Sequence, residues 1–308
     1  MLRRVLLAAS ASPRLRQLIT TAPQARAIVD SYVAGETAED AVRVTRTLRA
    51  AGLLVSLDYL GEDTTDPAQA AAVTDEYIEL LGKLAAEGLT HGGAAEVSVK
   101  ATAVGLFLGA RLAKENISRI CAAAREAGTT VTLDAEEFAA IEPTLRIAAQ
   151  LRAEHGDLGC VVQACLRRSE ADCRSLAGHG VRVRLCKGAY SEPDSVAYTA
   201  RRDVDTSYAR CLRALMNGSG YPMLATHDPR LIEITGSLAM LTGRAPDSFE
   251  YQMLYGIRPV EQRRLADTGA RMRVYVPYGG DWYGYLVRRL AERPQNLAFF
   301  LRSLRSGT

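Results

Sequence analysis

The stretch TTVTLDAEEFAAIEPTLRIAAQLRAEHGDLGCVVQAC, from Thr129 to Cys165, contains two short apolar runs on either side of a helix-compatible segment. Strands joined through a helix usually pair in parallel. The same alternation extends in both directions along the chain. It predicts eight strands, in the runs LLVSLDYL from Leu53, AEVSVKAT from Ala95, TTVTLDAE from Thr129, GCVVQAC from Gly159, VRVRLCKGAY from Val181, YPMLATHD from Tyr221, FEYQMLYG from Phe249 and RMRVYVPYG from Arg271.

Eight strand and helix units in about 250 residues are typical of a (β/α)8 barrel of the TIM type, within the α/β class. A doubly wound open sheet is the competing fold, and it usually carries a glycine-rich phosphate loop after its first strand. Here that position reads LDYLGEDTTDP, with a single glycine. We therefore predict an N-terminal helical region over 1–51, a barrel over 52–296 and a C-terminal tail over 297–308.

Composition excludes several functional classes. The 38 basic and 35 acidic residues are too evenly balanced to indicate a nucleic-acid partner. No apolar run approaches the roughly 18 residues of a membrane span. The six cysteines lack CxxC spacing and the four histidines lack a ligand pattern, so we predict no metal site, reduced cysteines and a cytoplasmic location. The opening MLRRVLLAASAS has an apolar run shorter than the roughly 7 to 15 residues of a signal peptide, and we interpret it as a mature helix.

Polar residues occur at the end of every predicted strand, where barrel enzymes place their chemistry. Several interrupt otherwise apolar runs, where an ionisable group is costly unless it is paired. The strand-end residues are Asp58 and Glu62, then Lys100, then Asp134 and Glu136, then Gln163, then Arg184, Lys187 and Tyr190, then Thr226, His227 and Asp228, then Glu250 and Tyr255, and finally Tyr275 and Tyr278.

The segment RVYVPYGGDWYGYLVRRLAERPQN, from Arg273 to Asn296, predicts a strand followed directly by a helix. One face of that helix carries Tyr285, Arg288, Arg289 and Glu292. Two guanidinium groups beside an aromatic ring form a suitable receptor for a carboxylate. Taken alone, the same stripe is more typical of a solvated helix face with an Arg288–Glu292 ion pair, and the rest of the chain favours the receptor.

Seven segments together resemble the successive motifs of the proline dehydrogenase family, including the corresponding domain of bifunctional proline utilisation proteins. The segments are SVKATA, LDAEE, RLCKGAY, ATHD, QMLYG, VYVPYG and YLVRRLAERPQN. The resemblance implies FAD-dependent oxidation of L-proline to Δ1-pyrroline-5-carboxylate by hydride transfer from proline C5 to flavin N5, the first step of proline catabolism to glutamate. It also implies a last helix placed over the carboxyl end of the barrel, a quinone or membrane electron-transfer acceptor, and a Δ1-pyrroline-5-carboxylate dehydrogenase as the next enzyme.

The resemblance assigns a substrate site position by position. Arg288, Arg289 and Lys100 match the residues that hold the proline carboxylate. Tyr275, Tyr285 and Leu254 match those that wall the ring, and Glu62 matches a glutamate that closes the site. Closure would exclude water from the reacting groups.

The resemblance also assigns a cofactor site. Arg184 matches the arginine next to flavin N5, and Asp134 matches an acidic residue near the reacting centre. The remaining matches to cofactor contacts are Ala135, Gln163, Lys187, Gly188, Ala189, Tyr190, Thr226, His227 and Asp228. Asp228 departs from the family, which often has Asn there, so a contact that could donate through an amide becomes acceptor only.

Two other functions remain open at this point. One is a Schiff-base aldolase or lyase on the same fold, with Lys100 or Lys187 as nucleophile. The other is a barrel that binds an acidic metabolite without catalysis. The tail LAFFLRSLRSGT, from Leu297, either packs on the barrel or contacts the inner face of the membrane peripherally.

Overall fold

A computed structural model describes residues 29–61 and 64–292, without the side chains of residue 288 and residues 290–292. Eight parallel strands close into a barrel with helices between them, which confirms the predicted (β/α)8 fold and all eight strands. The elements are α1 Ala38–Ala50, β1 Leu54–Tyr59, α2 Pro67–Ala86, a 3-10 turn His91–Gly93, β2 Ala95–Val99, α3 Ala110–Glu126, β3 Val131–Leu133, α4 Phe138–His155, β4 Gly159–Gln163, α5 Ser169–Gly178, β5 Arg182–Cys186, α6 Arg201–Met216, β6 Tyr221–Ala225, α7 Pro229–Leu241, β7 Glu250–Leu254, α8 Pro259–Asp267, β8 Met272–Tyr278 and α9 Trp282–Glu292.

Each strand pairs with its successor in sequence, and β8 pairs with β1 to close the barrel. Side chains alternate between the two faces of a strand. In β1, Ser56 and Asp58 face the barrel interior, whereas Val55 and Leu57 are fully buried in the main apolar core. The interior is therefore polar, and the apolar core lies between the strands and the surrounding helices.

Helix α1 packs against β1 and β8. Its N-terminus carries a capping box, in which Thr37 accepts from the backbone of Asp40 and the Asp40 side chain accepts from the backbone of Thr37. The chain just before α1 crosses the carboxyl end of β8, where the Ala34 amide donates to the Pro277 carbonyl at 2.9 Å. The predicted boundary at residue 51 falls in the turn between α1 and β1.

Helix α9 follows β8 and packs at the carboxyl end of the barrel, as predicted. A separate apolar cluster joins it to the residue after β1 and to the chain before α1; its members are Val29, Val33, Leu60, Trp282, Tyr283, Tyr285, Leu286 and Val287. The Trp282 indole also donates to Glu36 Oε1 at 3.3 Å. The last helix is thus held over the barrel mouth by contacts distinct from the main core.

The amino-terminal half of the barrel interior is an ion network. Arg273 is 1% exposed and donates from Nε to Glu250 Oε1 at 2.6 Å, and Arg182 donates to Glu96 Oε2 at 2.7 Å. Burial opposes ionisation of Glu96, but Arg273, Arg182 and Arg184 outweigh it and hold the pKa of this carboxyl far below its usual range. Buried charges of this kind persist because each is paired. The prediction that Glu250 lies at a carboxyl strand end is wrong, since it begins β7 and binds Arg273 in this layer.

Within the described residues, no helix combines the length and the apolar character that crossing a bilayer requires. All six cysteines are free thiols, and four of them are buried.

Candidate active site

Arg184 is the centre of a polar cluster at the carboxyl end of the barrel. Its guanidinium is buried and donates from Nε to Gln252 Oε1 at 2.6 Å. The Nη atoms donate to Ser98 Oγ at 2.7 Å and to Ser56 Oγ at 2.9 Å. Donation to three neutral acceptors on three other strands leaves the guanidinium a single orientation, so its positive charge is fixed in place.

Asp134 follows β3 and faces this guanidinium. Its Oδ1 lies 3.3 Å from Arg184 Nη1, and its Oδ2 accepts from the Tyr275 hydroxyl at 2.7 Å and from Ser98 Oγ at 3.2 Å. Burial, reinforced by the Asp134 charge, raises the pKa of Tyr275 well above its ordinary value. The phenol therefore remains a hydrogen-bond donor that holds Asp134 beside Arg184.

Lys100 comes directly after β2 and forms a buried ion pair with Asp58 of β1. The two groups are 2.5 Å apart, and their side chains are 8% and 1% exposed. Burial raises the pKa of Asp58 although Lys100 opposes the shift, and the nearby Asp134 charge adds to it. The amine is thereby held at the barrel mouth against Asp58.

Glu136 is a second buried carboxyl at this mouth. Its oxygens accept from the Thr102 backbone amide at 3.1 Å and from the Thr102 hydroxyl. Burial raises the pKa of Glu136 to about 7 in spite of these bonds. The Gln163 amide donates to the Glu136 carbonyl at 2.7 Å, so the loop after β3 is tied to the end of β4.

Gly188 lies on the loop after β5, with a φ of +101° that favours glycine. A Cβ at this position would sit 2.3 Å from Cys165 Sγ and 3.2 Å from Gln163 Oε1. Only glycine therefore fits, because the loop packs directly against Cys165 here, and the backbone of Gly188 is exposed. Ala135, Ala189 and Tyr190 lie half-buried on the same rim.

Lys187 belongs to a cluster of two cations and two carboxylates. Its amine lies 2.6 Å from Asp205 and 3.2 Å from Asp228, and Arg230 pairs with the same two acids at 3.1 and 2.8 Å. Asp228 is also the N-cap of α7, because its side chain accepts from the Arg230 amide. The Arg230 hydrogen bond, with that of Lys187, holds the pKa of Asp228 well below its usual range.

Thr226 and His227 join this rim to the neighbouring strand. Thr226 Oγ accepts from the Asp228 amide at 3.1 Å, and His227 Nε2 accepts from the Leu254 amide at 3.0 Å. A neutral His227 ring consequently carries its proton on Nδ1. Leu254 ends β7 half-buried beside this imidazole.

On α9, Tyr285 is 6% exposed, and the Arg289 guanidinium lies 5.3 Å from the centre of its ring. This is within the range of a cation–π contact. Arg288 lies in the same helix, but its side chain is outside the described residues, as is the whole of Glu62.

Sequence reasoning missed the residues that orient the predicted ones. Arg184 is held by Ser56, Ser98 and Gln252, none of which was predicted. Lys100 is held by Asp58, which was assigned no role. A signal for them exists in the sequence. Glu96, Ser98 and Lys100 are polar at every second position, which marks one face of β2 as facing other polar groups.

Residues 41–302 match the family model described as proline dehydrogenase. The chain belongs to the proline dehydrogenase family. The predicted family and enzyme class are thereby confirmed over the two alternatives. The chain is 38% identical to proline dehydrogenase 1 of Bacillus subtilis over 273 residues, which cover 89% of each protein. It is also 38% identical to the proline dehydrogenase of Deinococcus radiodurans over 287 residues, which cover 91% of each.

The chain also resembles part of larger proteins. It superimposes on the crystal structure of proline utilization A from Bdellovibrio bacteriovorus inactivated by N-propargylglycine, with a TM-score of 0.81 and 26% identity. The match covers 87% of this chain and 33% of that one. The bifunctional protein PutA of Escherichia coli is 27% identical over 342 residues, which span 95% of this chain and 25% of PutA.

Proposed function

We propose that this enzyme oxidises L-proline to Δ1-pyrroline-5-carboxylate with FAD as hydride acceptor. The observation that carries the proposal is the buried Arg184 guanidinium, fixed by side chains of three other strands beside Asp134 and Tyr275. Family membership supports proline as the substrate. The Arg289 and Tyr285 pair on α9 supports recognition of a small cyclic acid at the same mouth.

The residues present fit a flavin. Gly188 leaves an exposed stretch of backbone with no side chain to cover it, and Arg184 offers a fixed, buried cation inside the same mouth. When bound, FAD accepts the hydride that leaves proline C5. The residues that would hold it are Ala135, Gln163, Arg184, Lys187, Gly188, Ala189, Tyr190, Thr226, His227 and Asp228. Lys187 is already paired with Asp205 and Asp228. Its amine would therefore bind a phosphate while still paired with these two carboxylates, which reduces the net positive charge that the phosphate meets.

The substrate site is proposed to consist of two parts. Arg288, Arg289 and Lys100 hold the carboxylate, since guanidinium forks and an ammonium match its charge and geometry. Tyr275, Tyr285 and Leu254 wall the apolar carbons of the ring. In this proposal Glu62 pairs with the first of the two arginines when the site closes.

The chain's own contribution to the reaction is orientation and charge. Negative charge develops on the hydride acceptor as the reaction proceeds, and a preorganised cation such as Arg184 stabilises it without reorganisation. Binding of the carboxylate fixes the position of C5 relative to the hydride acceptor. The two reacting groups then react within one complex instead of meeting by collision. The substrate amine must be deprotonated before hydride leaves C5.

Reduced cofactor must be reoxidised, and we propose a quinone-type acceptor reached by peripheral contact of a cytoplasmic protein with the membrane. The tail 297–308, outside the described residues, is the segment whose apolar residues and two arginines suit such a surface. Equal co-sedimentation with anionic liposomes by the full chain and by a truncation after Asn296 would remove the tail from this role. A Δ1-pyrroline-5-carboxylate dehydrogenase is the proposed next enzyme.

The proposal is tested by the visible spectrum of the purified protein before and after anaerobic addition of L-proline. We expect a flavin absorption band that bleaches with proline and not with D-proline. A colourless protein that oxidises proline, or a flavin band that L-proline leaves unchanged, would overturn it.

A further inference from the structure

A cavity of about 730 Å³ opens at the amino-terminal mouth of the barrel, at the opposite end from Arg184 and α9. It is lined by the turns that precede the strands. Five arginines and one aspartate line it: Arg125, Arg182, Arg244, Arg271, Arg273 and Asp157. Such an excess of one charge is costly in a concave site unless counter-charges are present.

Buried carboxylates neutralise only part of this positive charge. Glu96 pairs with Arg182, and Glu250 pairs with Arg273. Arg244 donates instead to the carbonyls of residues 215, 216, 218, 220 and 248. Those carbonyls satisfy its hydrogen bonds at the end of α6, but they carry no net charge to offset it.

Arg271 and Arg125 are the cations that remain available. Among residues 29–61 and 64–292, no carboxylate forms an ion pair with either of them. Arg271 Nε is buried, and no described residue forms a hydrogen bond with it. A buried donor left in this state is destabilising, and more so when it is charged. The cavity is therefore lined by an arginine whose hydrogen bonds are incomplete and whose charge has no carboxylate partner among these residues.

Neighbouring groups show the same concentration of positive charge. The Arg271 guanidinium lies 5.9 Å from the centre of the Tyr221 ring, which also carries Arg182 at 5.6 Å. Burial, followed by the charges of Arg273 and Arg271, lowers the pKa of Arg49. His155 lines the cavity as well, and its buried Nδ1 has no partner among the described residues.

We propose that this amino-terminal cavity binds a small polyanion that bears phosphate or carboxylate groups, with Arg271 and Arg125 as its principal ligands. The volume falls in the range of ordinary small-molecule sites, about 300 to 1,000 Å³. Guanidinium groups suit oxyanions because they present paired donors in one plane. The site is separate from proline oxidation, so its existence does not depend on the proposed function.

Isothermal titration of the purified holoenzyme at about 0.1 M ionic strength tests the proposal, with pyrophosphate and citrate as the two probes. Binding of one or both supports it, and the probe that binds identifies the preferred group. We expect Arg271→Gln and Arg125→Gln each to weaken that binding by about tenfold or more, because a charged hydrogen bond is lost. Proline oxidation should remain unchanged in both.

Arg111→Gln is the matched control, because Arg111 lies at the other end of α3 and is 91% exposed. It removes one arginine charge without touching the cavity, and binding should stay within twofold. Failure of both probes to bind the wild-type protein would overturn the proposal. So would equal loss in Arg111→Gln and Arg271→Gln, which indicates attraction by overall charge. If Arg271→Gln does not fold, the comparison of Arg125→Gln with Arg111→Gln decides the question.

Discussion

Tyr275→Phe isolates the hydroxyl that fixes Asp134, because it keeps the aromatic ring that is proposed to wall the substrate site. The bond it removes, from the Tyr275 hydroxyl to Asp134 Oδ2, is 2.7 Å long and donates to a carboxylate. A hydrogen bond to a charged group contributes about 1.5 to 3 kcal/mol, which corresponds to a roughly 10- to 150-fold change in rate. Ser98 still donates to the same oxygen at 3.2 Å, so we expect the lower half of that range.

The effect should appear in kcat rather than in KM, since the ring proposed to contact proline is retained while the orientation of the charged cluster is loosened. The assay is steady-state proline oxidation over a range of proline concentrations, and anaerobic single-turnover reduction of the bound flavin shows whether the chemical step is the one affected. Tyr278→Phe is the matched control, because this residue lies three positions later on β8 and therefore faces the opposite side of the strand. A kcat for Tyr275→Phe within twofold of wild type, or an equal loss in Tyr278→Phe, would refute the reasoning.

Four further changes test other parts of the account. Burial raises the pKa of Glu136 to about 7, so the stability that its protonated form contributes is present below pH 4.5 and is lost as the pH rises towards 7. In the wild type the free energy of unfolding in urea should therefore fall by roughly 3 kcal/mol between pH 5 and 8 on account of this group, and Glu136→Gln should remove that fall. An unchanged pH dependence in the variant would contradict this. Asp228→Asn keeps the helix cap but releases Lys187 from one carboxylate, so equilibrium dialysis should show FAD bound at least as tightly as by wild type, and weaker binding would count against the phosphate role. Gly188→Ala should reduce the flavin-to-protein absorbance ratio, since its Cβ would meet the Cys165 sulfur at 2.3 Å and displace the loop after β5; full flavin content would show that this loop conformation is not needed for binding. Arg289→Met should raise the KM for proline at least about tenfold with flavin content retained, and an unchanged KM would reject the carboxylate receptor.

The strands were predictable because their signal is local. Each apolar run is short, lies between helical segments and shows alternation or continuous apolar character, so all eight could be placed without knowledge of their partners. The position of α9 could not be predicted from the local sequence. It depends on the apolar cluster that Trp282 and Leu286 form with Val29, Val33 and Leu60, and those residues are far apart in sequence. Only the family resemblance indicated where this helix would lie.

The site was predictable as a set of residues but not as a set of contacts. Alternation shows that Ser98 and Lys100 share one face of β2. Which strand each side chain meets across the barrel depends on how the sheet closes and how its strands are staggered. Lys100 consequently meets Asp58 on β1, and Ser98 meets Arg184 on β5. The amino-terminal ion network of Glu96, Arg182 and Arg273 is a product of the same closure: alternation marks Glu96 as part of a polar face, but it does not show which arginines that face meets.

The central claim is that the fixed Arg184 cluster and the arginines of α9 act on one substrate at one mouth of the barrel. It is tested most directly by a crystal structure of the flavin-loaded enzyme with cyclopentanecarboxylate, which has the ring and the carboxylate of proline but no amine to oxidise. The account predicts the carboxylate against Arg288, Arg289 and Lys100, and the ring between Tyr275 and a flavin that contacts Arg184. A carboxylate bound elsewhere, or a flavin remote from Arg184, would contradict it.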